Sequence, residues 1–229
     1  MAGFRFASYN VQKHAKQARK LIDHYLLPTY YQRMGIKAEE SSKYIDVEDI
    51  LDPQSIMDPR YEQTSKVAFN QSGDMVGLHL SYFVDKPSWQ KEFIDASREY
   101  FEDKSLKESV RKYCKHRYEV CEGLDDLYDR YQVEKFIYFE STIVHPDYRR
   151  MGISLANQKK AYEEFGTKYG ILTESQTPKY LVDTGKIKTL EQTVPGVDGF
   201  VILKDIRSYD DFIVVVAFRP PLPKLEGNV

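Results

Sequence analysis

FIYFESTIVHPDYRRMGIS, residues 136 to 154, reads as a strand, a basic turn and the start of a helix. Phe136 to Val144 is apolar, β-branched and aromatic, the composition of a buried strand. Pro146 stops it, because proline donates no ladder hydrogen bond and restricts the residue before it. Tyr148-Arg149-Arg150-Met151-Gly152 forms the turn, and a helical pattern runs from Ile153 to about Tyr169. A helix N-terminus presents free backbone N–H groups and the positive end of a dipole. Two arginines and a glycine at that point make an anion site, most naturally for a phosphate or pyrophosphate. Gly152 lets the backbone approach a ligand with no Cβ in the way. The plainer reading is a basic loop that only caps a strand–helix unit.

Neither GxxxxGK[ST] nor GxGxxG occurs, so the fingerprints of nucleoside triphosphate and dinucleotide binding are missing. The segment Arg149-Arg150-Met151-Gly152-Ile153-Ser154 instead resembles the acetyl-CoA signature [QR]-x-x-G-x-[GA] of the GNAT superfamily of N-acetyltransferases. Val144-His145-Pro146-Asp147-Tyr148 is similar to the lead-in of the same signature. Ser154 stands where the family has Gly or Ala. The resemblance implies that Ile143, Val144, Arg149, Arg150, Met151, Gly152, Ile153 and Ser154 bind coenzyme A, with backbone at Ile143 and Val144 pairing with the pantetheine arm.

Composition bounds the rest. The 229 residues suffice for one large domain or two small ones. Thirty-three basic against thirty-five acidic side chains give a net charge of −2, which argues against a general nucleic-acid or anionic-membrane binder. Eighteen tyrosines and twelve phenylalanines are enough to build a large sheet core or to line a pocket for a flat ligand. The opening MAGFRFASYN has no apolar secretory core, and the longest apolar run, Phe212 to Phe218, is far short of a membrane span. A cytoplasmic protein is expected. Cys114 and Cys121 lie seven apart in a helical pattern, about 10 Å along the axis, too far for a disulfide. They also make a poor zinc site, so no metal is expected.

In chain order, Phe4 to Ser8 reads as a strand, and Asn10 caps a helix that Pro28 is expected to end near Leu27. Thr29 to Ile36 reads as loop, and Asp46 to Arg60 as broken helix and loop. Lys66 to Asn70 and Met75 to Val84 form a hairpin about Gln71-Ser72-Gly73-Asp74. Ser88 to Glu102 and Leu106 to Gln132 are charge-rich helices, with a break at Gly123. Val110, Cys114, Tyr118 and Cys121 form one stripe of the second. Leu155, Tyr162, Phe165 and Tyr169 mark the core face of the helix after the turn. Ile171 to Glu174 is a short strand, Pro178 suits the first turn of a helix ending near Gly185, and Asp211 to Phe218 is the last strand. About seven strands and four or five helices predict an α+β (mixed α/β) domain with one twisted sheet.

This order is similar to the GNAT fold across most of the chain, and residues 1–229 are expected to form one domain. The helical insert at Lys86 to Val133 resembles the arylalkylamine N-acyltransferase branch, where such an insert helps cover the amine pocket. Tyr25-Leu26-Leu27-Pro28 followed by Met34-Gly35-Ile36 also fits that branch. Its insect members carry a glutamate base in an Asp-Glu-Pro-Leu-like motif here. This chain has Leu27-Pro28-Thr29-Tyr30-Tyr31, with no carboxylate.

The resemblance implies acyl transfer from coenzyme A to an amine, which needs a base for the ammonium and an acid or dipole for the thiolate. Glu140, in the middle of an otherwise uncharged strand, is the candidate base, since desolvation raises a carboxylate pKa. The alternative is a structural glutamate paired with a buried cation. His145 is the second candidate base, or a loop histidine packed beside the cofactor. Tyr180, beyond the fifth strand, is the candidate acid, although its spacing to Gly185 is one longer than the family's. Three functions stay open. One is an acetyltransferase for a small arylalkylamine; another is an acyltransferase for a protein or peptide amine. The third is an acyl-CoA-binding module without catalysis. The oligomeric state stays open between monomer and homodimer.

Overall fold

The computed structural model describes residues 3–33, 55–166, 168–186, 199–209 and 212–221. The chain opens with β1 (Arg5–Ser8) and α1 (Val11–Leu21). Asn10 caps α1 by accepting from the Lys13 amide, and Glu62 takes the Val11 amide, so two of the orphan N–H groups are satisfied. A π-helical turn, Ile22–Leu26, leads into α2 (Leu27–Arg33).

Pro28 therefore does not end the helix, and Thr29 to Arg33 is helical rather than loop. The Leu27 amide reaches back to the Ile22 carbonyl, five residues away. That widened turn makes room for the proline ring and absorbs the missing donor. Met34 to Ile36 and residues 46–54 lie outside the described residues.

The 3₁₀ turns Ser55–Met57 and Pro59–Gln63 lead into β2 (Lys66–Phe69) and β3 (Met75–Asp85). Gly73, at φ +85°, turns the hairpin between them. The insert follows: α3 (Lys86–Trp89), a π-helical segment Gln90–Asp95, α4 (Ala96–Glu102), α5 (Glu108–Cys121) and α6 (Asp126–Arg130). Gly123, at φ +78°, makes the expected break. Val110, Cys114 and Cys121 are buried along α5, and neither cysteine is in a disulfide.

Then come β4 (Lys135–Val144), a 3₁₀ turn Pro146–Tyr148, α7 (Ile153–Phe165), β5 (Gly170–Pro178) and α8 (Lys179–Asp183). The chain closes with β6 (Val201–Tyr209) and β7 (Phe212–Arg219). The strand β5 is longer than Ile171 to Glu174, and Pro178 ends it immediately before α8. No sequence pattern singled out β6, a strand of mixed polarity that, among the described residues, pairs with β7 at the edge of the sheet.

All seven strands form one sheet in the order β1-β2-β3-β4-β5-β7-β6. Every pair is antiparallel except β4 and β5, whose connection passes through α7. Helices cover both faces, which is why β3 is buried on almost every residue rather than on alternate ones. On one face Phe136 and Tyr138 pack with the insert: Trp89 stacks on Phe93 at 4.2 Å and Tyr128 on Phe136 at 4.6 Å. On the other, Ile137, Phe139 and Ile171 meet Ala161 of α7.

The buried residues of α7 are Ile153, Ala156, Asn157, Gln158 and Ala161. Leu155, expected in the core, is 47% exposed, because it lies off the face that Ile153, Ala156, Asn157 and Ala161 turn to the sheet. Gly77 permits the close approach of that face: a Cβ there would stand 2.5 Å from Ile153 Cγ2. The helix start, and the turn before it, are thereby held against the sheet.

Candidate active site

The β4–β5 ladder stops at Phe139 opposite Thr173, yet both strands continue. β4 stays with β3 as far as Val144 opposite Gly77, while β5 stays with β7 as far as Pro178 opposite Phe212. The two strands therefore part, leaving a gap in the middle of the sheet with backbone groups on each lip. A bulge sits where they part. Leu80 faces Ser141 and Ser81 faces Phe139, so Glu140 is the extra residue on β4. Such a bulge bends a strand and re-aims a side chain.

Alternation decides which backbone groups face the gap. His145 donates its amide to the Val76 carbonyl on β3 at 2.9 Å. With a period of two, Ile143 also points its amide and carbonyl at β3, and Val144 points its own into the gap. Of the two residues expected to pair with a pantetheine arm, Val144 is the one on offer. Ile143 is committed to β3 and its side chain is buried.

The turn at the end of β4 fits a diphosphate. Arg150 (φ +64°) and Gly152 (φ +77°) are both left-handed, bending the chain sharply into α7. No side chain caps α7, so its first N–H groups are open to an anion. Arg149, Arg150, Met151 and Gly152 are exposed around that end, and Arg149 Nε donates to the Val144 carbonyl at 3.2 Å. Ile153 plays a different part: it is buried against Ala68 and Val76 and anchors the turn. Ser154 is half-buried in the first helical turn. Open N–H groups, two guanidiniums and a glycine cradle are the donor set that coenzyme A's diphosphate requires.

Glu140 lies on the insert face. Its carboxylate accepts from the Tyr61 hydroxyl at 2.6 Å. Burial raises its pKa, against the Tyr61 hydrogen bond and the charges of Arg117 and Arg60, which lower it; Glu92 adds to the rise. Glu174, the first β5 residue beyond the last β4–β5 pair, has its pKa raised in the same way, by burial first. It accepts from the Tyr138 hydroxyl at 3.0 Å, and the Glu140 charge raises it further. Arg117, brought in by α5, acts on both carboxylates and lies 5.3 Å from the Phe93 ring centre.

His145 does not join this cluster. Its Nδ1 accepts from the Asp147 amide at 3.3 Å, capping the 3₁₀ turn, and its ring meets Tyr25 at 5.1 Å. Tyr180 is 59% exposed at the start of α8, beyond the end of β5. Tyr61, Arg117, Tyr138 and Glu174 were not singled out from the sequence. Glu174 carried the same signal as Glu140, a lone carboxylate in a strand. Tyr61 and Arg117 carried none, because they reach the site only through long-range packing. Among the described residues, no cluster of three His, Cys, Asp or Glu side chains is placed to hold a metal ion, and no helix is long and apolar enough to cross a membrane.

No family model matches the chain, and a search of curated proteins finds no match by sequence. Solved structures do match. Arylalkylamine N-acetyltransferase 2 from Aedes aegypti is 15% identical, with a TM-score of 0.63 over 95% of this chain and 98% of that one. The polyamine N-acetyltransferase of Drosophila melanogaster, which forms N-acetylagmatine, is 11% identical, with a TM-score of 0.60 over 94% and 98%. A mosquito arylalkylamine N-acetyltransferase-like protein, 5b, is 12% identical, with a TM-score of 0.59 over 94% and 99%. The fold of this chain is that of the GNAT N-acetyltransferases.

Proposed function

We propose that the chain is an N-acyltransferase that moves an acetyl group from acetyl-CoA to a primary amine. One observation carries the reading: the gap between β4 and β5 runs from a basic, uncapped helix N-terminus to a half-buried carboxylate, Glu140. We take residues 1–229 as one domain, with the insert roofing the amine side.

Acetyl-CoA would supply the activated thioester. Arg149, Arg150 and the open N–H groups at Gly152, Ile153 and Ser154 hold the diphosphate. The Val144 amide and carbonyl pair with the arm as an added strand would, with Arg149 released from that carbonyl. Glu140 takes the proton of the acceptor ammonium, directly or through water, so that the nitrogen lone pair can attack the acetyl carbon. The C–N bond forms as the C–S bond breaks, and the nitrogen's second proton, lost as the amide forms, replaces the one that the acid gives to sulfur. Tyr180, on the exposed rim beyond β5, is the proposed donor to the departing sulfur. Gap-facing N–H groups of β4 meet the charge that develops on the carbonyl oxygen. The wall beside Glu140 is aromatic (Tyr61, Tyr82, Tyr138 and Phe93), which supports a small arylalkylamine acceptor over a protein chain.

Calorimetry with acetyl-CoA, joined to a free-thiol assay over a panel of amines, tests the reading. Gly152→Val puts a branched Cβ in the path of the diphosphate and is expected to weaken acetyl-CoA binding about tenfold or more. Unchanged affinity in a folded Gly152→Val protein sinks the site assignment. Binding without turnover of any amine leaves an acyl-CoA-binding module.

A further inference from the structure

Two carboxylates face the amine side of the gap. Glu140 and Glu174 are each the first residue of their strand beyond the last β4–β5 pair. Each is held by a buried tyrosine, Glu140 by Tyr61 and Glu174 by Tyr138. Tyr82 links those tyrosines edge to face, at 5.2 Å from Tyr61 and 5.9 Å from Tyr138. The carboxylates thus hang from one aromatic wall, side by side across the opening.

Their counter-charges do not balance. Arg60 is engaged by Glu92 at 3.0 Å and by Asp58 at 3.5 Å. Arg117 acts on both Glu140 and Glu174 but closes an ion pair with neither among the described residues. Asp58 and Glu92 are exposed and keep Arg60 at the surface, so among the described residues Arg117 is the one guanidinium shared by two half-buried carboxylates, Glu140 and Glu174. Charge held away from water calls for a partner. The acceptor ammonium brings one positive charge, and that charge is discharged at Glu140 during the reaction. Glu174 takes no part in the proton transfer and is left facing the same space.

We propose that Glu174 is a specificity-determining residue that binds a second cationic nitrogen of the acceptor, an ammonium or a guanidinium distinct from the amine that is acetylated. The inference rests on the N-acyltransferase reading above and adds that the preferred acceptor is dicationic.

Matched pairs of amines test it: putrescine against butylamine, and para-xylylenediamine against para-methylbenzylamine, each with acetyl-CoA. The wild-type protein is expected to prefer the diamine of each pair in kcat/KM by about tenfold or more, the size of one charge-assisted hydrogen bond. Glu174→Gln is expected to collapse that ratio toward the statistical factor of about two that two equivalent amines give, mainly through the diamine KM. A ratio untouched by Glu174→Gln, or a wild-type preference for the monoamines, overturns the proposal. Should Glu174→Gln fail to fold, Glu174→Asp keeps the charge one methylene away and is expected to give an intermediate ratio; an unaltered ratio overturns it. Should no amine be acetylated, the acyltransferase reading fails, and calorimetric titration of putrescine into wild type and Glu174→Gln decides the inference alone. Equal or absent binding overturns it.

Discussion

Glu140 owes its position to being the extra residue of a bulge, which lets a charged side chain leave an otherwise apolar strand while the ladder to β3 continues. Glu140→Gln keeps the shape and the Tyr61 contact but removes the base. We expect kcat/KM to fall by about 10²–10⁴ with acetyl-CoA affinity unchanged. Because burial raises its pKa, wild-type kcat/KM should fall on the acid side from above the usual glutamate range. A variant of normal turnover moves the base to His145, whose Nδ1 alone is engaged in the turn, or to a water held by backbone. Arg150 makes a second residue-scale case. Its φ of +64° costs a non-glycine residue about 1 kcal/mol. Arg150→Gly should therefore raise the melting temperature while weakening acetyl-CoA binding, since the strain is relieved and a guanidinium is lost. Unchanged or tighter acetyl-CoA binding counts against a ligand role for this side chain.

At the scale of elements, the close contact between α7 and β3 places the anion end of the site. Gly77 lies under Ile153, and the turn of Arg149 to Gly152 leads directly into that contact. Gly77→Ala forces the helix start outward by the width of a methyl group. Overpacking of this kind costs about 1–3 kcal/mol, and it should also lower acetyl-CoA affinity, although Gly77 itself touches no ligand. Paired measurements of melting temperature and of binding at a temperature where the variant is folded check this. A stability loss with full affinity separates the helix from the site. The two π-helical segments, Ile22–Leu26 and Gln90–Asp95, show the same economy: each interrupts a helix that a simple 3.6-residue pattern carries straight through.

Across the whole molecule, buried titratable groups set opposing dependences on pH. His79 lies between β3 and α7, its Nδ1 at 2.9 Å from Thr142 Oγ1 and its ring 4.4 Å from Phe139. Burial drives its pKa down to about 3. Its folded pKa is below the unfolded one, so the unfolded chain binds the extra proton and stability is lost as pH falls below about 6.5. Glu140 and Glu174 act the other way. Their folded pKa values are raised above the ordinary 4.5, so the stability they contribute is fully present below 4.5 and is lost as pH rises through the raised values. The melting temperature of a Glu140→Gln/Glu174→Gln protein relative to wild type should thus climb with pH across that window. A difference that stays flat with pH removes the buried-carboxylate account.

Much of this protein was determined along the chain. Strand, turn and helix from Phe136 to Ser154 follow from β-branched and aromatic residues, then Pro146, then Gly152, each acting within a few residues of itself. The hairpin about Gly73, the Asn10 cap and the Gly123 break are local in the same way. Pro28 misled because a π-turn supplied from its own helix absorbed the ring. The mixed strand β6 was missed because its pairing, not its polarity pattern, makes it a strand. Only the tertiary structure decided the active-site reading in detail. The gap exists because β4 and β5 each hold to their outer neighbour after Phe139 and Thr173. Tyr61 reaches Glu140 across 79 positions of sequence, and Arg117 arrives on a helix of the insert. Charge balance among Glu140, Glu174, Arg60 and Arg117 is a property of that convergence, and no periodicity or spacing along a chain encodes distances between residues so far apart.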